Sequence, residues 1–132
     1  MTDHPYLQDV VNGFIACMLW SSTDERDAPL DQTYDVDDIA PETLDKATDY
    51  CRAFLGYAGD KLTDESFIGK QGGITSVPVR AGHDLWLTQA GHGAGFWDGD
   101  WNEAMSVLGC NFTEAAKTLE PYVGDDGKIY FF

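Results

Sequence analysis

The stretch from Gly82 to Trp101, Gly-His-Asp-Leu-Trp-Leu-Thr-Gln-Ala-Gly-His-Gly-Ala-Gly-Phe-Trp-Asp-Gly-Asp-Trp, constrains the fold more than any other part of the chain. It holds three of the four tryptophans and two of the three histidines. Side chains on a strand point alternately to its two faces. His83, Leu85 and Leu87 alternate with Asp84, Trp86 and Thr88, which predicts a strand. Gln89 to Gly93 supply a turn, Phe96 and Trp97 lie in a return strand, and Gly82 and Gly99 bracket the hairpin.

Apolar residues at steps of three and four mark two helices. Leu7, Val10, Val11, Phe14, Ile15, Met18 and Leu19 share one face of the first. Asp3-His4-Pro5 is its start signal, and Trp20-Ser21-Ser22 ends it. Gly13 weakens that helix by ~1 kcal/mol relative to Ala and marks a place of close packing. The second helix starts at Pro41-Glu42 and ends near Gly59 or Leu62. Its stripe is Leu44, Ala47, Cys51, Phe54, Leu55, Ala58 and Leu62, flanked by Tyr50 and Tyr57. The two apolar faces predict an antiparallel pair.

Residues 63–82 read as an irregular loop with short extended pieces at 74–79. Residues 101–108 suit one or two helical turns. Residues 113–119 suit a short helix capped by Asn111 or Thr113 and stopped by Pro121. An Asp-Gly turn between Tyr122-Val123 and residues 128–132 predicts a second hairpin. The expected fold is α+β: one domain over 1–132, with a small antiparallel sheet of about four strands (two hairpins) packed against two main helices.

Twenty-three Asp and Glu stand against eight Lys and Arg, a net charge of −15. Such a chain repels phosphates, so direct binding to nucleic acid or to anionic lipid is not expected. It attracts basic partners, including the DNA- and RNA-binding faces of other proteins. The charge is densest in the loop at 21–40. There Asp24, Glu25, Asp27, Asp31, Asp35, Asp37 and Asp38 face Arg26 alone. These seven are the candidate partner-binding residues, with carboxylates standing in for phosphates. Cys17, Cys51 and Cys110 are widely spaced and odd in number; Cys17 and Cys51 sit in apolar helical patterns, which predicts buried thiols there and a reducing compartment. No charged-then-apolar leader and no run of ~18 apolar residues suggests secretion or a membrane span.

Catalytic chemistry has one candidate centre. His83, Asp84, His92 and Asp98 supply two imidazoles and two carboxylates for a divalent metal or for acid–base work. A tight hairpin puts His83 and His92 at opposite ends, which argues against their meeting. Asp98-Gly-Asp100-Trp-Asn102-Glu103 begins like an EF-hand loop, but Glu103 and Gly109 stand where glycine and glutamate are required. Gly91-His92-Gly93-Ala94-Gly95 lacks the lysine and serine of a phosphate loop. No Gly-x-Ser-x-Gly elbow occurs. Trp86, Trp97 and Trp101 lack the basic groove that single-stranded nucleic acid requires. No motif calls for a cofactor.

Several stretches carry a resemblance that runs through most of the chain. They are Leu19-Trp20-Ser21-Ser22-Thr23-Asp24-Glu25, Ile39-Ala40-Pro41-Glu42-Thr43-Leu44, Gly82 through Trp97-Asp98, Thr113-Glu114-Ala115-Ala116-Lys117 and Tyr122 through Tyr130. In this order they resemble a group of small acidic proteins encoded by tailed bacteriophages and prophages. The resemblance implies a phage-associated setting inside the bacterial host cell and carries over no catalytic residue. The expected function is that of a non-catalytic inhibitor or modulator of a host nucleic-acid-handling or defence protein, of an anti-restriction or anti-CRISPR, DNA-mimic type. The alternatives are a small enzyme centred on the 83–98 hairpin and a self-associating structural phage protein.

Overall fold

Two glycines let the central helices touch. Helix α1 (Leu7–Ser21) carries Gly13 and helix α3 (Val77–Ala90) carries Gly82. A Cβ built on Gly82 would run into the carbonyl oxygen of Val10, and one on Gly13 into that of Val79. The α1–α3 contact is the most extensive between any two elements. The structure, a computed structural model, describes residues 4–24, 26–69, 76–91 and 95–132. It is α+β and mostly helical: α1, α2 (Pro41–Ala58), α3, α4 (Glu103–Ala115) and a two-stranded sheet of β1 (Pro121–Val123) and β2 (Ile129–Phe131).

Helices α1 and α2 form where the apolar periodicity puts them. Pro41 opens α2, and Gly59, at φ 58°, follows its end. Cys17 and Cys51 are fully buried in the core, and Cys110 is partly exposed. Burial pushes the Cys17 thiol up to about 12, with a smaller opposing pull from Ser21. The main partner of α1 is α3 rather than α2. Gly13 marks close packing as expected, against α3. The Asp3 cap lies outside the described residues, and α1 starts later than Pro5, at Leu7.

The first expected hairpin does not form. Residues 77–90 are helix α3, so the sheet has two strands among the described residues, not about four. Ser76 caps α3, its hydroxyl accepting from Val79 N–H at 3.2 Å, and Pro78 sits in the first turn. Gly91 ends it at φ 76°, the left-handed conformation that favours glycine. Val77, Ala81, Leu85, Trp86 and Leu87 are buried together with the polar Asp84 and Gln89, so α3 is enclosed on nearly every side. A helix buried all round loses its amphipathic stripe, and its alternating residues imitate a strand. The irregular loop therefore ends before Val77; residues 70–75 lie outside the described residues.

Phe96 is no strand residue either. It is buried in the turn after α3 and stacks on Phe54 of α2 at 5.7 Å. Helix α4 is a single helix rather than two short pieces. Its cap is Asn102, which accepts from Met105 N–H at 3.0 Å, and not Asn111 or Thr113. The C-terminal hairpin forms as expected, antiparallel, with Tyr122 opposite Tyr130. Phe131 stacks on Trp86, and Trp86 meets Phe14 edge-on at 5.2 Å. One aromatic core thus ties the hairpin, α3 and α1. No helix among the described residues is long and apolar enough to cross a membrane.

Candidate functional site

The acidic segment between α1 and α2 is a series of closed turns. Asp24 N–H donates to Ala28 C=O and Leu30 N–H to Ser22 C=O, both at 2.9 Å, tying residues 22–24 to residues 28–30. The Asp24 carboxylate faces inward, with its side chain 7% exposed. It accepts from Arg26 N–H at 2.8 Å, Ala28 N–H at 3.2 Å and the Arg26 guanidinium at 3.1 Å. The Arg26 backbone N–H does most to hold this carboxyl below the usual range, against the upward push of burial; the Arg26 side chain and the Ala28 N–H add to it. Leu30 buries its side chain and anchors the segment to the core.

Asp35 and Asp38 cap each other's turn. The Asp35 carboxylate accepts from Asp37 N–H, and the Asp38 carboxylate from Asp35 N–H, each at 2.9 Å. Ile39 is buried, and Ala40 N–H donates to Ile129 C=O at 3.1 Å, pinning the segment to β2. The seven sequence candidates therefore divide. Asp24, Asp35 and Asp38 bind the loop's own backbone. Asp27, Asp31 and Asp37 are exposed, and no described group hydrogen-bonds or ion-pairs with their carboxylates. Glu25 lies outside the described residues.

Sequence reasoning missed that the C-terminal hairpin joins this face. Asp24, Arg26 and Tyr34 line a cleft of about 290 Å³ together with Val123, Gly124 and Asp125. Asp126, beside them, accepts from Tyr130 O–H at 2.6 Å and from Lys128 N–H at 3.0 Å. The Tyr130 hydroxyl does most to hold the Asp126 carboxyl below its usual range. The Asp125-Asp126 pair was visible as a hairpin turn; its place against the loop depends on the Ile39–Ile129 contact, which no local pattern reveals.

Of the second candidate centre, His83 and Asp84 are neighbours on α3 and Asp98 lies in the turn that follows Gly95. Asp84 is buried on α3, where its Oδ2 accepts from Trp101 Nε1 at 2.7 Å and from Arg80 Nε at 3.1 Å. Arg80 also reaches Asp100 at 3.0 Å and lies 5.3 Å from the centre of the Phe67 ring. Burial by itself would raise the Asp84 carboxyl; the influences of His83, Trp101 and Arg80 outweigh it and hold the group below the usual carboxylate range. At 3.7 Å, His83 Nδ1 is beyond hydrogen-bond reach of Asp84 and has no hydrogen-bond partner among the described residues. The pinning therefore rests on Trp101 and Arg80. Asp98 is exposed and accepts from Gly95 N–H at 3.0 Å, closing the turn before Trp101. His92 lies outside the described residues. Among the described residues no group of three His, Cys, Asp or Glu is placed to hold a metal.

The three tryptophans separate as well. Trp86 and Trp101 are core residues, while Trp97 is exposed. Trp20, not singled out by its sequence context, is 60% exposed and lies against the His83 ring at 5.9 Å. Comparison with models of known protein families, with curated proteins and with solved structures finds no match.

Proposed function

We propose that this chain is a non-catalytic acidic binding protein that covers the basic, nucleic-acid-binding face of a host protein, of the kind used in restriction or CRISPR defence. The observation that carries the reading is the set of exposed, unpaired carboxylates of Asp27, Asp31 and Asp37 on a loop closed by its own hydrogen bonds. A charge held in place before binding loses little conformational freedom on contact, so its attraction is retained as affinity. Asp24, Asp35 and Asp38 supply that order, and Asp125 widens the face. A net charge of −15 adds long-range steering towards a basic surface. The resemblance to small acidic phage proteins agrees with a host target.

The test is competition. Purified restriction and CRISPR effector proteins are loaded with labelled DNA, and displacement by this protein is measured at low and at raised salt. Displacement is expected to weaken as salt rises. It is expected to fall by at least about tenfold, some 1.4 kcal/mol, in the Asp27→Asn, Asp31→Asn, Asp37→Asn variant. Equal potency of that variant would sink the electrostatic reading.

A further inference from the structure

Val36 interrupts the acidic run between Asp35 and Asp37, and it is 52% exposed. It forms one wall of an apolar groove of about 320 Å³. The nearly buried Val11, Ile15 and Leu19 of α1 line its floor, Ala16 opens its middle, and Leu44 of α2 closes the far side. At one end Gln8 donates to Asn12 at 2.9 Å, so the two polar side chains among the described lining residues bond each other. Among the described residues no charged one lines the groove. The charges next to it in the chain are Asp9, Asp35, Asp37 and Asp45, all acidic.

We infer that this groove takes a basic amphipathic helix of the partner, with its apolar side chains on the α1 floor and its lysines or arginines beside Asp35 and Asp37. The inference rests on the acidic-face reading above and specifies its partner further. Three observations favour this occupant. The floor runs from Gln8 to Leu19, and the eleven helical steps between them span about 16 Å, or three turns of a helix laid alongside. An apolar floor with charged margins is the complement of one helix face with apolar residues at i, i+3, i+4 and i+7. The acidic margins select cations on the rest of that helix. The same charge opposes a second copy of this chain, since each copy carries −15.

The probe is a synthetic lysine–leucine peptide of about four helical turns with a leucine stripe. A shuffled peptide of the same composition and a neutral glutamine–leucine peptide with the same stripe serve as comparisons. Calorimetry measures each against the intact protein, against Ala16→Gln and Val36→Asn, which leave the charge untouched, and against Asp37→Asn with Asp45→Asn. The striped basic peptide is expected to bind about tenfold more tightly than either comparison. Ala16→Gln and Val36→Asn are each expected to weaken it by about tenfold, the scale of one lost Val-sized apolar contact. Both positions are exposed, and circular dichroism verifies that the variants fold. Equal binding of the shuffled peptide, or unchanged affinity in both groove variants, overturns the groove and leaves the acidic-face reading standing. Equal binding of the neutral peptide, or unchanged affinity in the double aspartate variant, overturns the basic partner. Failure of the DNA competition above, with the groove result intact, removes the nucleic-acid-binding target and not the groove.

Discussion

Aspartate has two roles in this molecule, and burial separates them. In the loop before α2, Asp27, Asp31 and Asp37 face water with no described partner. On α3, Asp84 is shut in the core between the Trp101 indole and the Arg80 guanidinium. Water screens the first kind, which costs the fold almost nothing and remains free to meet another protein. The second kind is tolerable only because its lone pairs are engaged, and losing it leaves the Trp101 N–H without its acceptor and the Arg80 guanidinium with Asp100 as its remaining ion pair. Between the extremes stand Asp24, Asp35 and Asp38, whose carboxylates are spent on the backbone of their own turns.

This contrast sets an order of effects. Asp84→Ala should cost about 3–5 kcal/mol of unfolding free energy, the usual cost of breaking a buried pair. Arg80 keeps Asp100 as a second partner, so the lower end of that range is expected. Urea denaturation measures it, and a loss below about 1 kcal/mol would put Asp84 in the same class as a surface carboxylate. The same group gives the protein an acid-sensitive component of stability. Its folded pKa lies below the unfolded value of about 3.9, so the unfolded chain binds the proton more readily. Its contribution is present above that unfolded value and is lost as pH falls through the folded value. Asp84→Asn should therefore flatten the decline in stability between neutral pH and about pH 3. Part of the slope should survive, because Asp24 and Asp126 are also held below their usual range. An unchanged slope would mean that Asp84 is not charged in the fold.

Asp35→Ala should cost about 1 kcal/mol by removing a capping carboxylate; a thermal melt reads it as a small downward shift. The smallest effect belongs to Asp27→Asn, Asp31→Asn and Asp37→Asn, each within about 0.5 kcal/mol of the parent. Together they should tend to stabilise the chain by easing its self-repulsion. A large destabilisation in that set would erase the line between display and structure on which the proposed function depends.

How much of this was legible depended on whether an element faces both core and water. Helices α1 and α2 lie at such a boundary, so their apolar stripes sufficed, and for α2 the proline start signal as well. The Asp-Gly turn likewise announced the C-terminal hairpin. Helix α3 faces core on nearly every side, and its residues alternate by chance like a strand. The better local evidence lay at its ends, in Ser76 with Pro78 and in Gly91, the start and stop chemistry of a helix. The acidic residues were visible as a group. Which of them cap turns and which remain free was not, because Asx-type turns depend on backbone geometry several residues away.

Sequence alone determined the amount and placement of charge, the two boundary helices, the closing hairpin and the glycine that allows close packing in α1. Each follows from covalent neighbours within a few turns or residues. Tertiary structure decided that Gly82 meets Val10 across the α1–α3 crossing, that Asp84 joins Arg80 and Trp101, that Val36 lines a groove with α1, and that Asp125 shares a cleft with Asp24. Those outcomes depend on which surfaces exclude water from one another, a property of the packed chain and not of any segment within it.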